Sequence, residues 1–167
     1  MKEFEKIYFE YYSDVRRFLL CLTGYEVLTA DELTQETFYQ AFLYFDRFRG
    51  ECQMRTWLFQ IAKNVYGKYV RKEIGQRQTA ESQIKLSDVA DVTEMTEKNE
   101  QLLNLRKAIR QLEEPARSVV EYRIYSELSY SEIAKLMKIR EGNASVIFNR
   151  AKAKIRKYMK EVYQYEI

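Results

Sequence analysis

Arg47 to Lys72 reads RFRGECQMRTWLFQIAKNVYGKYVRK, a glycine-broken loop that runs straight into a segment with two chemically different faces. Taking every third or fourth residue from Leu58 gives Ile61, Ala62, Val65 and Tyr69, an apolar stripe at helical spacing. The opposite stripe is Gln60, Lys63, Asn64, Gly67, Lys68 and Arg71, which offers amides, cations and a glycine gap. Trp57 and Phe59 stand beside it as candidate stacking surfaces for bases, and the combination suits single-stranded nucleic acid. Taken alone, the segment also reads as an ordinary core helix with a solvated basic face.

The rest of the chain fits a helical protein. One proline and five glycines in 167 residues leave few breakers, and a 46% hydrophobic content is ample for a core. There is no histidine, and Cys21 and Cys52 show no metal-ligand spacing, so no metal site, cofactor or disulfide framework is expected. No signal peptide and no apolar run of membrane-spanning length is visible, so a cytoplasmic protein without membrane insertion is expected. An enzyme finds little support, because the chain has no glycine-rich phosphate loop and no nucleophile motif, and it lacks the commonest general base.

Charge is uneven along the chain. Overall, 28 Lys+Arg against 25 Asp+Glu gives +3, but residues 106–167 carry 14 basic and 8 acidic side chains. Apolar periodicity thins between about Gly75 and Met95, where the expected element is a polar linker or an ordered strap over one domain. The expected architecture is therefore all-α, with two small domains, residues 1–74 and 97–167, joined by a linker over 75–96.

In the first domain, Phe4 to Leu22 predicts one helix, and Thr29-Ala-Asp-Glu32 predicts a capping box opening a second that runs to about Phe45. That second helix carries Phe38, Phe42, Leu43, Tyr44 and Phe45 around most of its circumference, so it is buried on several sides or keeps an apolar patch for a partner. In the second domain, Pro115 suits the first turn of a helix, and Ser129-Tyr-Ser-Glu132 predicts a capping box. After a Lys138-Ile139-Arg140 turn, a last helix begins near Glu141 with the inner stripe Ala144, Phe148, Ala151, Ile155 and Tyr158 or Met159. Two helices joined by so short a turn form a helix-turn-helix pattern. The crowd of Arg150, Lys152, Lys154, Arg156, Lys157 and Lys160 suits phosphate contact.

These residues resemble a known family, the extracytoplasmic-function class of bacterial RNA polymerase sigma factors. The resemblance lies in ADELTQETFYQAFLYFDRFRGECQMRTWLFQIAKNVYGKYVRK, from Ala30 to Lys72, and in LEEPARSVVEYRIYSELSYSEIAKLMKI followed by NRAKAKI. It implies a non-enzymatic polymerase subunit that recognises minus-ten and minus-thirty-five promoter elements. Glu32, Gln35, Glu36, Phe38 and Phe42 fall where the family binds the clamp coiled coil of the polymerase's largest subunit. Arg49, Cys52, Gln53, Arg55, Trp57, Gln60, Lys63, Asn64, Lys68 and Arg71 fall where it holds the opened non-template strand. Arg140, Asn143, Ser145, Val146, Asn149, Arg150, Lys152 and Lys154 fall where it reads duplex. A flap of the second-largest subunit and an anti-sigma factor are the further partners implied. The chain departs from the family at Gly142-Asn143-Ala144-Ser145-Val146-Ile147, where Gly-Thr-Val-Lys-Ser-Arg is common. A dimeric helix-turn-helix regulator independent of polymerase is the other reading, and it leaves the first domain unexplained.

Overall fold

A computed structural model describes residues 2–79 and 97–165, with side chains over 2–76 and 100–165. Among the described residues every regular element is a helix, and the chain divides into two compact units with the boundary at Val92 and Thr93. Residues 80–96, the greater part of the expected linker, lie outside the described residues.

The first unit is three helices, α1 (Lys2–Thr23), α2 (Val27–Tyr44) and α3 (Met54–Thr79), with a short 3-10 turn at Phe45–Arg47. α3 continues five residues into the stretch expected as linker. α1 buries Val15, Phe18, Leu19 and Leu22. It ends because Gly24 takes φ +70°, which lets the Tyr25 N–H reach the Leu20 carbonyl (2.7 Å) and the Gly24 N–H reach that of Cys21 (3.4 Å).

That turn starts α2 earlier than the sequence motif suggests. Extended Glu26 is the N-cap, with no side-chain cap bond, and Thr29 already lies inside the helix, its hydroxyl donating to Glu26 Oε2 at 3.0 Å. The expected Thr29–Glu32 capping box is therefore not formed. α2 is the middle helix, packed on both α1 and α3. It can come close to both because Ala30, Thr34, Thr37 and Ala41 are small, and the two buried threonine hydroxyls donate to the Ala30 and Leu33 carbonyls at 2.7 Å each.

The second unit contains α4 (Glu97–Arg110), α5 (Ala116–Tyr125), α6 (Tyr130–Met137) and α7 (Glu141–Tyr163). Pro115 stands at the N-cap of α5 rather than inside its first turn. Ala108, Ile109, Leu112, Val120, Ala151, Ile155 and Met159 form a core in which α7 is the spine. The Ser129 capping box is present: the Glu132 N–H donates to Ser129 Oγ (3.1 Å) and the Ser129 N–H to Glu132 Oε2 (2.8 Å). Left-handed Lys138 ends α6, and three residues later α7 begins, which makes α6 and α7 a helix-turn-helix. Arg123 fixes its approach, donating to the Leu128 carbonyl at 3.0 Å while its guanidinium lies 4.4 Å from the centre of the Tyr130 ring. Tyr130 in turn packs 5.9 Å from Phe148 of α7. One chain of contacts thus runs from α5 through α6 to α7.

Candidate nucleic-acid and partner interfaces

The polar stripe of α3 faces outward. Asn64, Lys68 and Arg71 are exposed, and Gln60 and Lys63 are half-buried, with Lys63 Nζ lying 5.9 Å from the Tyr66 ring centre. Arg55 does not join them. Nine residues along a helix turn the side chain by about 180°, so Arg55 lies opposite Asn64. Its guanidinium rests 4.9 Å from the centre of the Phe59 ring, on the side that packs against α1, close enough to act on the Tyr11 phenol. Phe59 is equally unavailable for stacking on bases: it is 1% exposed and meets Phe18 edge to face at 5.1 Å.

Trp57 is half-buried, its ring 5.0 Å from that of Phe48. That contact ties the start of the loop to the first turn of α3. Between the two anchors, Gly50 sits at φ +71°, a conformation that side chains other than glycine's adopt only with strain. The loop tip offers Arg49 and Gln53 to solvent and keeps Cys52 half-buried. All three belong to the element that the family resemblance assigned to the opened strand.

α2 and α3 enclose an open groove. Leu33, Ile61 and Val65 line it with apolar surface, Glu36 and Gln40 stand on the α2 side, and Asn64, Lys68 and Lys72 stand on the α3 side. Gln40 Nε2 donates to Glu36 Oε1 at 2.7 Å. Tyr69, also in the groove, hydrogen-bonds Thr29, and burial pushes its phenol pKa up. Residues assigned separately to partner binding and to strand binding therefore share one cleft.

The outward face of α2 carries Glu32, Gln35 and Glu36 in its first half and Tyr39, Phe42 and Leu43 in its second, all exposed. Phe38 is not part of it. Only 3% exposed, it packs 4.9 Å from Tyr8 and 6.1 Å from Tyr12, between α1 and α2. Its place on the surface is taken by Tyr39 and Leu43, 57% and 52% exposed; the sequence placed Leu43 in an apolar patch but assigned neither residue to the clamp. The signal was there in the spacing Glu32, Glu36, Tyr39, Leu43. Phe38→Ala is expected to lower the stability of the free protein by about 3–5 kcal/mol, the usual loss for a buried phenylalanine; chemical denaturation measures it.

On α7, Asn143, Val146, Asn149 and Arg150 lie on one exposed face. Lys152 and Lys154 are exposed on its two flanks, about 160° apart around the axis. Ser145 is half-buried and its hydroxyl donates to the Gly142 carbonyl at 3.0 Å. Arg140 is the N-cap and makes no side-chain cap bond. Among the described residues no helix is long and apolar enough to cross a membrane.

Comparison with known proteins places the chain in a family. The model of Sigma-70 region 2 matches residues 7–74, and that of Sigma-70 region 4 matches residues 102–155. RNA polymerase sigma factor YlaC of Bacillus subtilis is 29% identical over 163 residues, spanning 93% of this chain and 91% of that protein. ECF RNA polymerase sigma factor SigM of the same organism is 29% identical over 152 residues, spanning 91% and 92%. In fold, the chain is similar to the sigma factor RpoE solved in complex with the anti-sigma factor NepR from Bartonella quintana, with a TM-score of 0.71, 20% identity, and 96% and 98% of the two chains covered.

The chain belongs to the sigma-70 family of RNA polymerase sigma factors. Within that family it is of the extracytoplasmic-function class, an alternative sigma factor that directs transcription initiation.

Proposed function

We propose that the two units divide promoter recognition, with residues 1–74 binding core polymerase and the minus-ten element, residues 97–167 binding the minus-thirty-five element, and residues 75–96 connecting them. The observation that carries this reading is the separation of α2 and α3 into distinct exposed faces that meet in a shared groove. The α2 face, with Tyr39, Phe42 and Leu43 beside Glu32, Gln35 and Glu36, has the apolar centre and polar rim of a protein interface. It docks the clamp coiled coil of the polymerase's largest subunit. The loop from Arg49 to Gln53 and the stripe Gln60, Lys63, Asn64, Lys68 and Arg71 hold the non-template strand once the duplex opens. Trp57 acts by holding the loop. Capturing an unstacked base offsets part of the few kcal/mol that opening requires, so binding drives melting without nucleotide hydrolysis. The second unit also docks the flap of the second-largest subunit. The protein works in the cytoplasm and performs no chemistry of its own.

The similarly folded RpoE, and CnrH, at a TM-score of 0.70 and 17% identity, were captured with the anti-sigma factor NepR and with the cytosolic domain of CnrY, respectively, which supports an anti-sigma partner for this chain. An independent dimeric regulator is disfavoured, since a helix-turn-helix dimer has no use for the α2 face and the α3 stripe.

The minus-thirty-five reading has its own test. The exposed reading face of α7 carries Val146, Asn143 and Asn149, with Arg150 as its cation, so apolar contact to a thymine methyl and neutral hydrogen bonds replace charge-assisted contacts to guanine. Placing the common minus-thirty-five element of the class in front of the chain's own minus-ten element is expected to lower transcription at least about tenfold, the usual penalty for one or two wrong base pairs. Val146→Ala is expected to relax preference at a single base pair. Equal transcription from both promoters contradicts this assignment.

A further inference from the structure

Gly67 lies in the middle of α3, on the polar stripe, and the fold gives no reason for a glycine there. Its backbone is helical without a positive φ, and a Cβ would meet only Arg71 Nη1, at an ordinary contact distance of 3.5 Å. Glycine is a poorer helix former than alanine, so the free protein would be more stable with alanine at this position. The cations one turn to either side, Lys63 and Arg71, stand about 12 Å apart along the axis with no side chain at position 67 between them. The Arg71 guanidinium leans over that gap.

A surface with two cations bracketing a stretch of helix covered only by the end of a flexible arginine suits a thin polyanion that draws the guanidinium to itself and comes closer than a side chain at position 67 would allow. We propose that Gly67 is where the sugar-phosphate backbone of the captured single strand passes against α3, between Lys63 and Arg71. This rests on the strand-binding reading of the α3 stripe and adds the path of the strand across it. An added methyl group would lift the strand off the helix and out of register with Asn64, one turn away.

The test compares Gly67→Ala with Gly75→Ala in the full chain. Gly75 lies in the same helix, and a Cβ there would have nothing within 4 Å, so its exchange stiffens α3 equally. Both variants are expected to raise the thermal midpoint, by about 4 °C. With core polymerase, permanganate footprinting of promoter thymines is expected to show opening reduced about tenfold for Gly67→Ala, in line with the effect of a small misplacement at a working site. Gly75→Ala should open as the wild type does, and both should bind core polymerase normally. Wild-type opening by Gly67→Ala overturns the proposal, as does an equal loss in both variants, which would trace the effect to helix stiffness. A lowered midpoint in Gly67→Ala overturns it too, since the fold itself would then need the glycine. If Asn64→Ala leaves opening unchanged, the strand-binding reading fails instead, and this proposal falls with it.

Discussion

Glutamate at both Tyr39 and Leu43 is expected to weaken capture of core polymerase by about a thousandfold, because a hot-spot residue at the centre of an interface carries about 2 kcal/mol or more and two are lost. The thermal midpoint of the free chain should stay within a few degrees of wild type. Both side chains are more than half exposed, so charge there removes no core contact. Binding of labelled core polymerase followed by fluorescence anisotropy measures the loss. Phe38 supplies the contrast: one residue from Tyr39, it is buried against Tyr8 and Tyr12, and its truncation should unfold the first unit more easily without a specific loss of affinity in the chains that remain folded. Unchanged affinity in the Tyr39→Glu, Leu43→Glu variant would remove α2 as the polymerase-binding helix.

Lys63→Ala combined with Asn64→Ala is expected to reduce promoter opening by about thirtyfold, the sum of one phosphate contact and one base contact at roughly 1 kcal/mol each. Core affinity should be unaffected, since neither residue is on the α2 face. The two losses are separable. Removing Lys63 should lower the salt dependence of promoter binding by about one unit of slope at every sequence, whereas removing Asn64 should relax preference at one base. Loss of core binding in the double variant would instead mean that α3 is needed to hold α2 in place.

How much of this was legible in the sequence depends on the element. α6 and α7 were readable almost to the residue, because the Ser129 capping box, the Lys138-Ile139-Arg140 turn and the Ala144, Ala151, Ile155, Met159 stripe all give the same answer. The face of α2 was harder. It carries aromatic or aliphatic residues on most of its circumference, so periodicity did not show whether Phe38 or Tyr39 points outward; that was settled by where α1 packs. The start of α2 held two competing signals. The Thr29–Glu32 motif lost to the turn at Gly24, which puts the N-cap at Glu26, three residues earlier than a threonine cap would. Arg55 was assigned to the strand by the family resemblance alone, not by the polar stripe, and the helix rotates it onto Phe59. The loop around Gly50 was legible as a loop, but not the Phe48–Trp57 contact that anchors it, since aromatic pairing across a loop leaves no periodic trace.

Run-off transcription tests the central claim most directly. Purified core polymerase, the chain and linear templates carrying randomised minus-ten and minus-thirty-five elements are combined without further factors. The expected transcripts require the chain, arise from a narrow set of templates, and are lost when either element of a selected template is scrambled. A chain that fails to bind core polymerase and yields no promoter-dependent transcript contradicts the claim.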